Sequence, residues 1–264
     1  MLTTRFVTGS PVWVDLGTPD LDGARSFYRA LFGWERAPAG SGTGGYEMFT
    51  REGRTVAGGM TVPPEQGGSA WTLYFRTPDA EAAATAVRAG GGSVVLDPMD
   101  VLDLGRTALF TDPTGAAFGV WQPGSHQGLD VVGEPGALCW TELRTPDPVA
   151  ALSFYDLVFG TEAHTAAEGT GGAYALLQPA GTGLASPGDA FGAVVPLAGE
   201  PSEGPSWTPY FEVEDLDAAV AEAERGGGKV RGGPADLPGL GRCARLTDPY
   251  GARFAILRGS GRGA

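Results

Sequence analysis

Trp13-Val14-Asp15-Leu16-Gly17-Thr18-Pro19-Asp20 decides the fold, because the chain writes this stretch twice. It returns as Trp140-Thr141-Glu142-Leu143-Arg144-Thr145-Pro146-Asp147, 127 positions on. Phe27-Tyr28 and Gly33 return at the same spacing, as Phe154-Tyr155 and Gly160. Further along, Trp71-Thr72-Leu73-Tyr74-Phe75 matches Trp207-Thr208-Pro209-Tyr210-Phe211, and Asp79 matches Asp215. Asp112-Pro113-Thr114-Gly115 likewise matches Asp248-Pro249-Tyr250-Gly251. The halves are copies. Most of the surplus in the second lies in the polar, Gly-rich stretch from Gln178 to Ala190, which reads as a longer loop. Each half also repeats within itself: Thr18-Pro19-Asp20 opens one helical run and Thr77-Pro78-Asp79 another. Four copies of one unit therefore make up the chain, and a repeat of this kind takes precedence over local reading.

The unit is legible from periodicity. Val12, Val14 and Leu16 alternate with Trp13, Asp15 and Gly17, the period of a half-buried strand. Asp20 is placed to cap a helix, and Leu21, Ala24, Phe27, Tyr28 and Leu31 recur at helical spacing up to Gly33, a C-terminal stop. Strands follow near Tyr46 to Thr50 and Thr55 to Thr61, joined by a turn at Glu52-Gly53. The next unit offers Trp71 to Thr77, a helix from Asp79 to Ala89, and strands near Ser93 to Leu96, Arg106 to Thr111 and Ala117 to Trp121. The order is βαβββ and the class α+β, with helices packed on one face of a sheet. This predicts a domain over residues 1–123, a linker over 124–134 and a second domain over 135–264.

Composition narrows the function. The chain has 264 residues, 42% of them hydrophobic, enough to fill a core and exclude wholesale disorder. Its 44 glycines and 21 prolines sit between apolar runs, so they punctuate turns. The net charge of −13, without a basic cluster, argues against nucleic acid as a partner. No apolar run approaches the length of a membrane span, and Met1 to Ser10 lacks the hydrophobic stretch of a signal peptide. A cytoplasmic protein is expected. Two cysteines, Cys139 and Cys243, and two histidines, His126 and His164, are too few for a multi-cysteine zinc module or a disulfide scaffold. Both histidines read as solvent-exposed loop residues.

The order Asp20, Phe27-Tyr28, Gly33, then Asp112-Pro113-x-Gly115 before a last strand, present in both halves, resembles the vicinal oxygen chelate superfamily. That group includes glyoxalase I, extradiol dioxygenases, and fosfomycin and bleomycin resistance proteins. Within it the chain is similar to tandem glyoxalase-like proteins of actinobacteria, some of them labelled hydroxylases. The resemblance implies four βαβββ units forming two cup-shaped domains. It also implies metal-ligand positions on the first and last strands of each unit. Those positions hold Trp13, Thr72, Trp140 and Thr208 on first strands, and Gly119 and Ala255 just beyond the Asp-Pro-x-Gly turns. The corresponding segments Val56 to Met60 and Phe191 to Val195 contain no His, Asp or Glu. A divalent metal needs three or four converging N, O or S donors, so no metal and no cofactor is expected.

Strand alternation then assigns the cup faces. The first carries Trp13, Asp15, Thr72, Tyr74, Arg76, Gly119 and Trp121; the second carries Trp140, Glu142, Arg144, Thr208, Tyr210, Glu212, Ala255 and Leu257. Aromatic walls with a few polar groups suit a small-molecule ligand. One reading is a metal-independent binding protein of the glyoxalase and bleomycin-resistance type, taking an aromatic or natural-product ligand. Its binding residues would be Trp13, Thr72, Tyr74, Arg76, Trp121, Trp140, Arg144, Thr208, Tyr210 and Glu212. The alternative is a cofactor-free isomerase, cyclase or hydroxylase-like enzyme with Asp15 or Glu142 as base. A metal-dependent lyase or dioxygenase stands third. The carboxylates also have a structural reading: paired with an arginine on the same face, Arg76 for Asp15 and Arg144 or Arg253 for Glu142. Oligomeric state is left open, a monomer with two pseudo-symmetric halves being compatible.

Overall fold

The computed structural model describes residues 2–38, 40, 43–63, 65, 68–165, 175–183, 189–197, 204–237 and 239–260. Part of the second-half loop expected between Gln178 and Ala190 lies outside them. The first unit comprises β1 (Pro11–Thr18), α1 (Leu21–Phe32), β2 (Glu35–Pro38), β3 (Glu47–Arg51) and β4 (Arg54–Thr61). The second comprises β5 (Ala70–Arg76), α2 (Ala80–Ala89), β6 (Ser93–Val101), β7 (Gly105–Thr111) and β8 (Ala117–Pro123). The third runs through β9 (Leu138–Thr145), α3 (Pro148–Phe159), β10 (Glu162–Thr165), β11 (Ala175–Gln178) and β12 (Gly192–Pro196). The fourth holds β13 (Ser206–Glu212), α4 (Leu216–Arg225), β14 (Lys229–Leu237), β15 (Gly241–Thr247) and β16 (Arg253–Gly259). All four are βαβββ, so the α+β reading is correct.

Periodicity missed β2, because Glu35-Arg36-Ala37-Pro38 shows no apolar alternation. Backbone pairing with β3, Glu35 opposite Thr50 and Pro38 opposite Glu47, makes it a strand. An edge strand held by its ladder alone leaves no sequence signal.

Two eight-stranded sheets result, in the orders β2-β3-β4-β1-β5-β8-β7-β6 and β10-β11-β12-β9-β13-β16-β15-β14. Each helix is capped as read from the sequence. The Asp20 carboxylate accepts from the Gly23 N–H at 2.9 Å, and Gly33 closes α1 at φ 72°, a left-handed conformation that costs a side chain dearly. Asp79, Asp147 and Asp215 cap α2, α3 and α4 in the same way.

The chain packs as two compact units, each taking one βαβββ module from either half. One comprises Met1–Trp13, Leu73–Gly128 and Thr141–Thr208; the other Val14–Thr72, Leu129–Trp140 and Pro209–Ala264. The helix-facing strand residues form the cores: Val12, Val14, Leu16, Leu73, Phe75, Phe118 and Val120 are all 0–1% exposed. The stretch after β8 is packed down, with Leu129 and Val131 buried. The Asp130 carboxylate takes the Thr55 N–H at 2.8 Å, and Glu134 forks onto the Arg54 guanidinium at 3.1 and 2.7 Å.

Candidate functional site

The motif that carries the family resemblance builds the core. In one unit the Tyr28 hydroxyl donates to Asp248 Oδ2 at 3.2 Å and accepts from Trp71 Nε1 at 2.9 Å. In the other, Tyr155 donates to Asp112 Oδ2 at 3.2 Å and accepts from Trp207 Nε1 at 2.7 Å. The second carboxylate oxygen of each Asp-Pro-x-Gly aspartate gathers the backbone of its own turn: Ala116 N–H for Asp112, Tyr250 and Ala252 N–H for Asp248. Burial of both phenols raises their pKa far above the ordinary tyrosine value. They stay protonated donors and serve structure.

The opposite strand faces carry the candidate residues read from the sequence. Asp15 on β1 is 7% exposed, and it lies opposite Gly58 of β4. Tyr46, just before β3, donates its hydroxyl to Asp15 Oδ2 at 3.0 Å. It does so by bringing the hydroxyl end of its ring against Gly58, where an added Cβ would meet Tyr46 Oη and Cζ and stand 2.7 Å from Cε1. Glycine leaves that space without displacing the tyrosine. The same device recurs in the other unit. Tyr74 of β5 is in register with Gly119 of β8, and a Cβ on Gly119 would stand 2.9 Å from Tyr74 Cγ. Beside it, the Trp13 and His126 rings meet edge to face at 4.9 Å, and Trp121 lies 5.9 Å from the same imidazole. The Trp121 indole N–H donates to the His126 carbonyl at 3.0 Å, fixing ring and loop together. Thr72, Tyr74 and Arg76 are half-buried, whereas Trp13 and Trp121 are nearly covered.

Two expectations need correction. His126 is no exposed loop residue; it is half-buried between two indoles. His164 is also half-buried, and it belongs to strand β10, opposite Leu176. The reason for the first is that the chain after β8 folds back onto the sheet it has just left. Tyr46, read only as the start of a strand, lies just before β3, and its reach to Asp15 follows from the pairing of β3 with β4 and of β4 with β1.

The second half presents the matched residues differently. Glu142 accepts from Arg144 Nη1 at 3.1 Å, as the structural reading of that carboxylate expected. Trp140, Thr208, Tyr210, Glu212 and Leu257 are all buried, and Ala255 is inaccessible. The Glu212 carboxylate takes the Gly259 N–H at 3.0 Å, and the Cys139 thiol faces the Tyr210 carbonyl at 3.3 Å.

A surface hollow of about 500 Å³ runs along Arg25, Ser26, Arg29, Trp34, Glu35 and Arg36, none of them a candidate site residue named above. Arg25 and Arg36 spend their charge on Glu47, at 3.4 and 2.8 Å. Its rim is polar, and Arg25 also pairs with Asp22 at 2.7 Å.

The donor chemistry for a metal does not fit. Trp13, Trp140, Gly119 and Ala255 offer no ligand atom, and the volume a carboxylate at position 119 would need is taken by the Tyr74 ring. Among the described residues no group of three His, Cys, Asp or Glu side chains converges.

Comparison with known proteins places the fold in a family. The profile of the Glyoxalase/Bleomycin resistance protein/Dioxygenase superfamily matches residues 10–120 and 137–256. The anthracycline biosynthesis protein DnrV of Streptomyces peucetius is 39% identical, covering 96% of this chain and 94% of that one. A protein named as a glyoxylase, CFP32 of Mycobacterium bovis, is 40% identical over 97% of both chains. Among solved structures, the 2,3-dioxygenase LapB from Pseudomonas sp. KL28 superposes with TM-score 0.64 at 16% identity, covering 96% of this chain and 93% of that one. The Mn(II)-bound glyoxalase from Novosphingobium aromaticivorans does so with TM-score 0.64 at 16% identity, covering 94% and 82%. The four βαβββ modules, their caps and both matched segments make this chain a member of the Glyoxalase/Bleomycin resistance protein/Dioxygenase superfamily.

Proposed function

We propose that the chain binds a planar, hydroxylated aromatic small molecule of the anthracycline type, and does so without a metal. The observation that carries this is the replacement of ligand chemistry by rings. Tyr74 fills the place over Gly119 where a metal-binding carboxylate would project, and Trp13, His126 and Trp121 form a ring cluster beside it. Flat rings offer stacking area, and a phenol or carboxylate at the edge orients ligand hydroxyls. A full-length relative named for anthracycline biosynthesis supports the ligand class. The halves 1–123 and 135–264 are taken as the two glyoxalase-like domains, with 124–134 joining them in a cytoplasmic protein.

The test is calorimetric titration of the purified chain with an anthracycline aglycone, with and without a strong chelator. Saturable binding that the chelator leaves unchanged is expected. Absence of binding, or binding that appears only when Mn, Fe, Zn or Ni is added, overturns the proposal.

One observation favours a second reading, a cofactor-free enzyme. Asp15 is buried and oriented by the Tyr46 hydroxyl, an arrangement suited to taking a proton from a bound phenol or activated C–H. In that case Asp15→Asn abolishes turnover of the bound ligand while leaving its affinity within a few-fold; turnover that survives Asp15→Asn excludes Asp15 as the base.

A further inference from the structure

Strand β6 closes one edge of its sheet, and its side chains do not alternate evenly. Its register against β7 slips between Val94 and Leu96 and again between Leu96 and Met99. Leu96 and Met99, three residues apart, therefore share a face, Leu96 opposite Leu109 and Met99 opposite Thr107. The ladder continues inward. Leu109 lies opposite Gly119 and Thr107 opposite Trp121 on β8, and these are in register with Tyr74 and Arg76 on β5. Two parallel rows result on one face, one running from Tyr74 to Leu96 and the other from Arg76 to Met99. Both lie inside a single compact unit.

Exposure grows outward along the rows. Gly119 and Trp121 are buried, Leu109 and Thr107 half-buried, and Leu96 and Met99 are 37% and 47% exposed. The Thr107 hydroxyl donates to the Val120 carbonyl at 3.2 Å, so it is already spent. An apolar strip thus starts at the ring cluster and ends in water. The fold does not require it. Strand β14, the counterpart of β6, slips its register at the same two places, yet it carries Gly232 and Ala235 where β6 has Leu96 and Met99. Opposite them stand Arg245 and Cys243 in place of Leu109 and Thr107. The Arg245 guanidinium lies against Gly232, where a Cβ would stand 3.0 Å from its Nε. Both copies keep the slipped strand, and only the first loads it with large apolar side chains left in water. A contiguous exposed strip of this kind marks a surface that something covers.

We propose that the aromatic ligand extends from Tyr74 and Trp121 across β7 onto β6, where Leu96, Leu109 and Met99 form an outer subsite for its far end. This rests on the reading of the chain as a binder of planar aromatic molecules, and it adds the ligand's length and the residues that measure it. From β5 to β6 is three strand spacings, about 14 Å. One aromatic ring covers only the inner part of that strip, whereas a linear polycycle covers it all. Leucine and methionine grip through apolar area and adapt their shape, so the outer subsite takes a ring edge or a hydrocarbon substituent.

The experiment compares two probes, a tetracyclic anthracycline aglycone and 1,5-dihydroxynaphthalene. Each is titrated calorimetrically into the intact chain and into the double variant Leu96→Ser/Met99→Ala. Both changed side chains are exposed, so the fold is expected to hold, and thermal melts check it. Wild type is expected to bind the aglycone at least about tenfold more tightly than the naphthalenediol. The double variant is expected to weaken the aglycone by about tenfold, the scale of one apolar side chain's buried area, and to leave the naphthalenediol within about threefold. If the double variant melts early, Met99→Gln replaces it, keeping length while removing apolar surface, with the aglycone again selectively weakened. Light scattering after size exclusion accompanies the titrations. No preference for the aglycone in wild type, equal weakening of both probes, an unchanged aglycone affinity, or a wild-type oligomer that the variant dissociates overturns the inference and leaves the proposed function standing. No binding of the aglycone to wild type overturns both.

Discussion

Tyr28→Phe tests the view that the repeated Phe-Tyr, Trp-Thr and Asp-Pro-x-Gly motifs are a structural staple. The substitution keeps the ring, which stacks on Trp34 at 5.3 Å, and deletes one oxygen. Two bonds go with it. Trp71 Nε1, 2.9 Å from that oxygen, becomes a dry donor, and leaving such a group unsatisfied costs about 1–3 kcal/mol. Asp248, 3% exposed, loses a donor but keeps the Tyr250 and Ala252 N–H groups at 2.9 and 2.8 Å, so only part of the usual value of about 1.5–3 kcal/mol for a bond to a charged group is lost. Together these give a destabilisation of about 2–4 kcal/mol, or a melting point lower by roughly 5–10 °C for a chain of this size. Urea denaturation followed by circular dichroism, with thermal melts alongside, reads it directly. Tyr155→Phe removes the same pair of bonds in the other unit, to Asp112 and Trp207, and should match Tyr28→Phe within about 1 kcal/mol. A loss under about 0.5 kcal/mol in either, the range of ordinary surface substitutions, would refute the staple.

Three further outcomes follow from the same geometry. Asp248 has its carboxyl raised above the usual carboxylate range, burial outweighing the turn's hydrogen bonds. The native chain therefore holds that proton more tightly than the unfolded chain, so this group's contribution to stability falls as pH rises from the ordinary aspartate value through the folded one. Asp248→Asn should abolish that component of the melting-temperature profile; a profile with unchanged slope in the acid range contradicts it. Gly33 stands at φ 72° with nothing near its absent Cβ, so Gly33→Ala should cost about 1–2 kcal/mol from backbone strain alone, and a neutral result in urea would show that α1 can end differently. Arg54→Ala breaks a two-pronged pair with Glu134 whose side chains are 39% and 44% exposed, and should cost under about 1 kcal/mol, a larger loss marking that clamp as structural.

Repeats made the fold readable. Asp20, Gly33 and the apolar alternation of residues 12–16 act locally, so the caps, helices and inner strands could be placed before any contact was known. Strand β2 could not, since its only cause is the ladder to β3. The strand faces were half legible. Alternation set Trp13 and Asp15 apart from Val12 and Val14, but the half-buried strand it implied is buried on both faces, because all four residues are covered; it also proposed Arg144 as a partner of Glu142. It could not supply Tyr46 or His126, which come from segments flanking the strands and reach the face only through chain reversal. Nor could it show that Gly58 and Gly119 are seats for rings, because a glycine in a strand says only that something approaches closely.

The division between what the copies share and what they vary has a physical cause. Each staple draws its tyrosine from one half and its aspartate from the other: Tyr28 with Asp248, Tyr155 with Asp112. A change to the tyrosine or the aspartate of a staple strands a buried partner contributed by the other half, at the cost of a broken hydrogen bond. A residue on a strand face such as Asp15 or Gly119 takes its register partner, Gly58 or Tyr74, from its own half. Duplication therefore leaves each core held by residues of both halves, while the matched pairs Asp15 and Glu142, Gly58 and Ala193, and Gly119 and Ala255 differ between the halves.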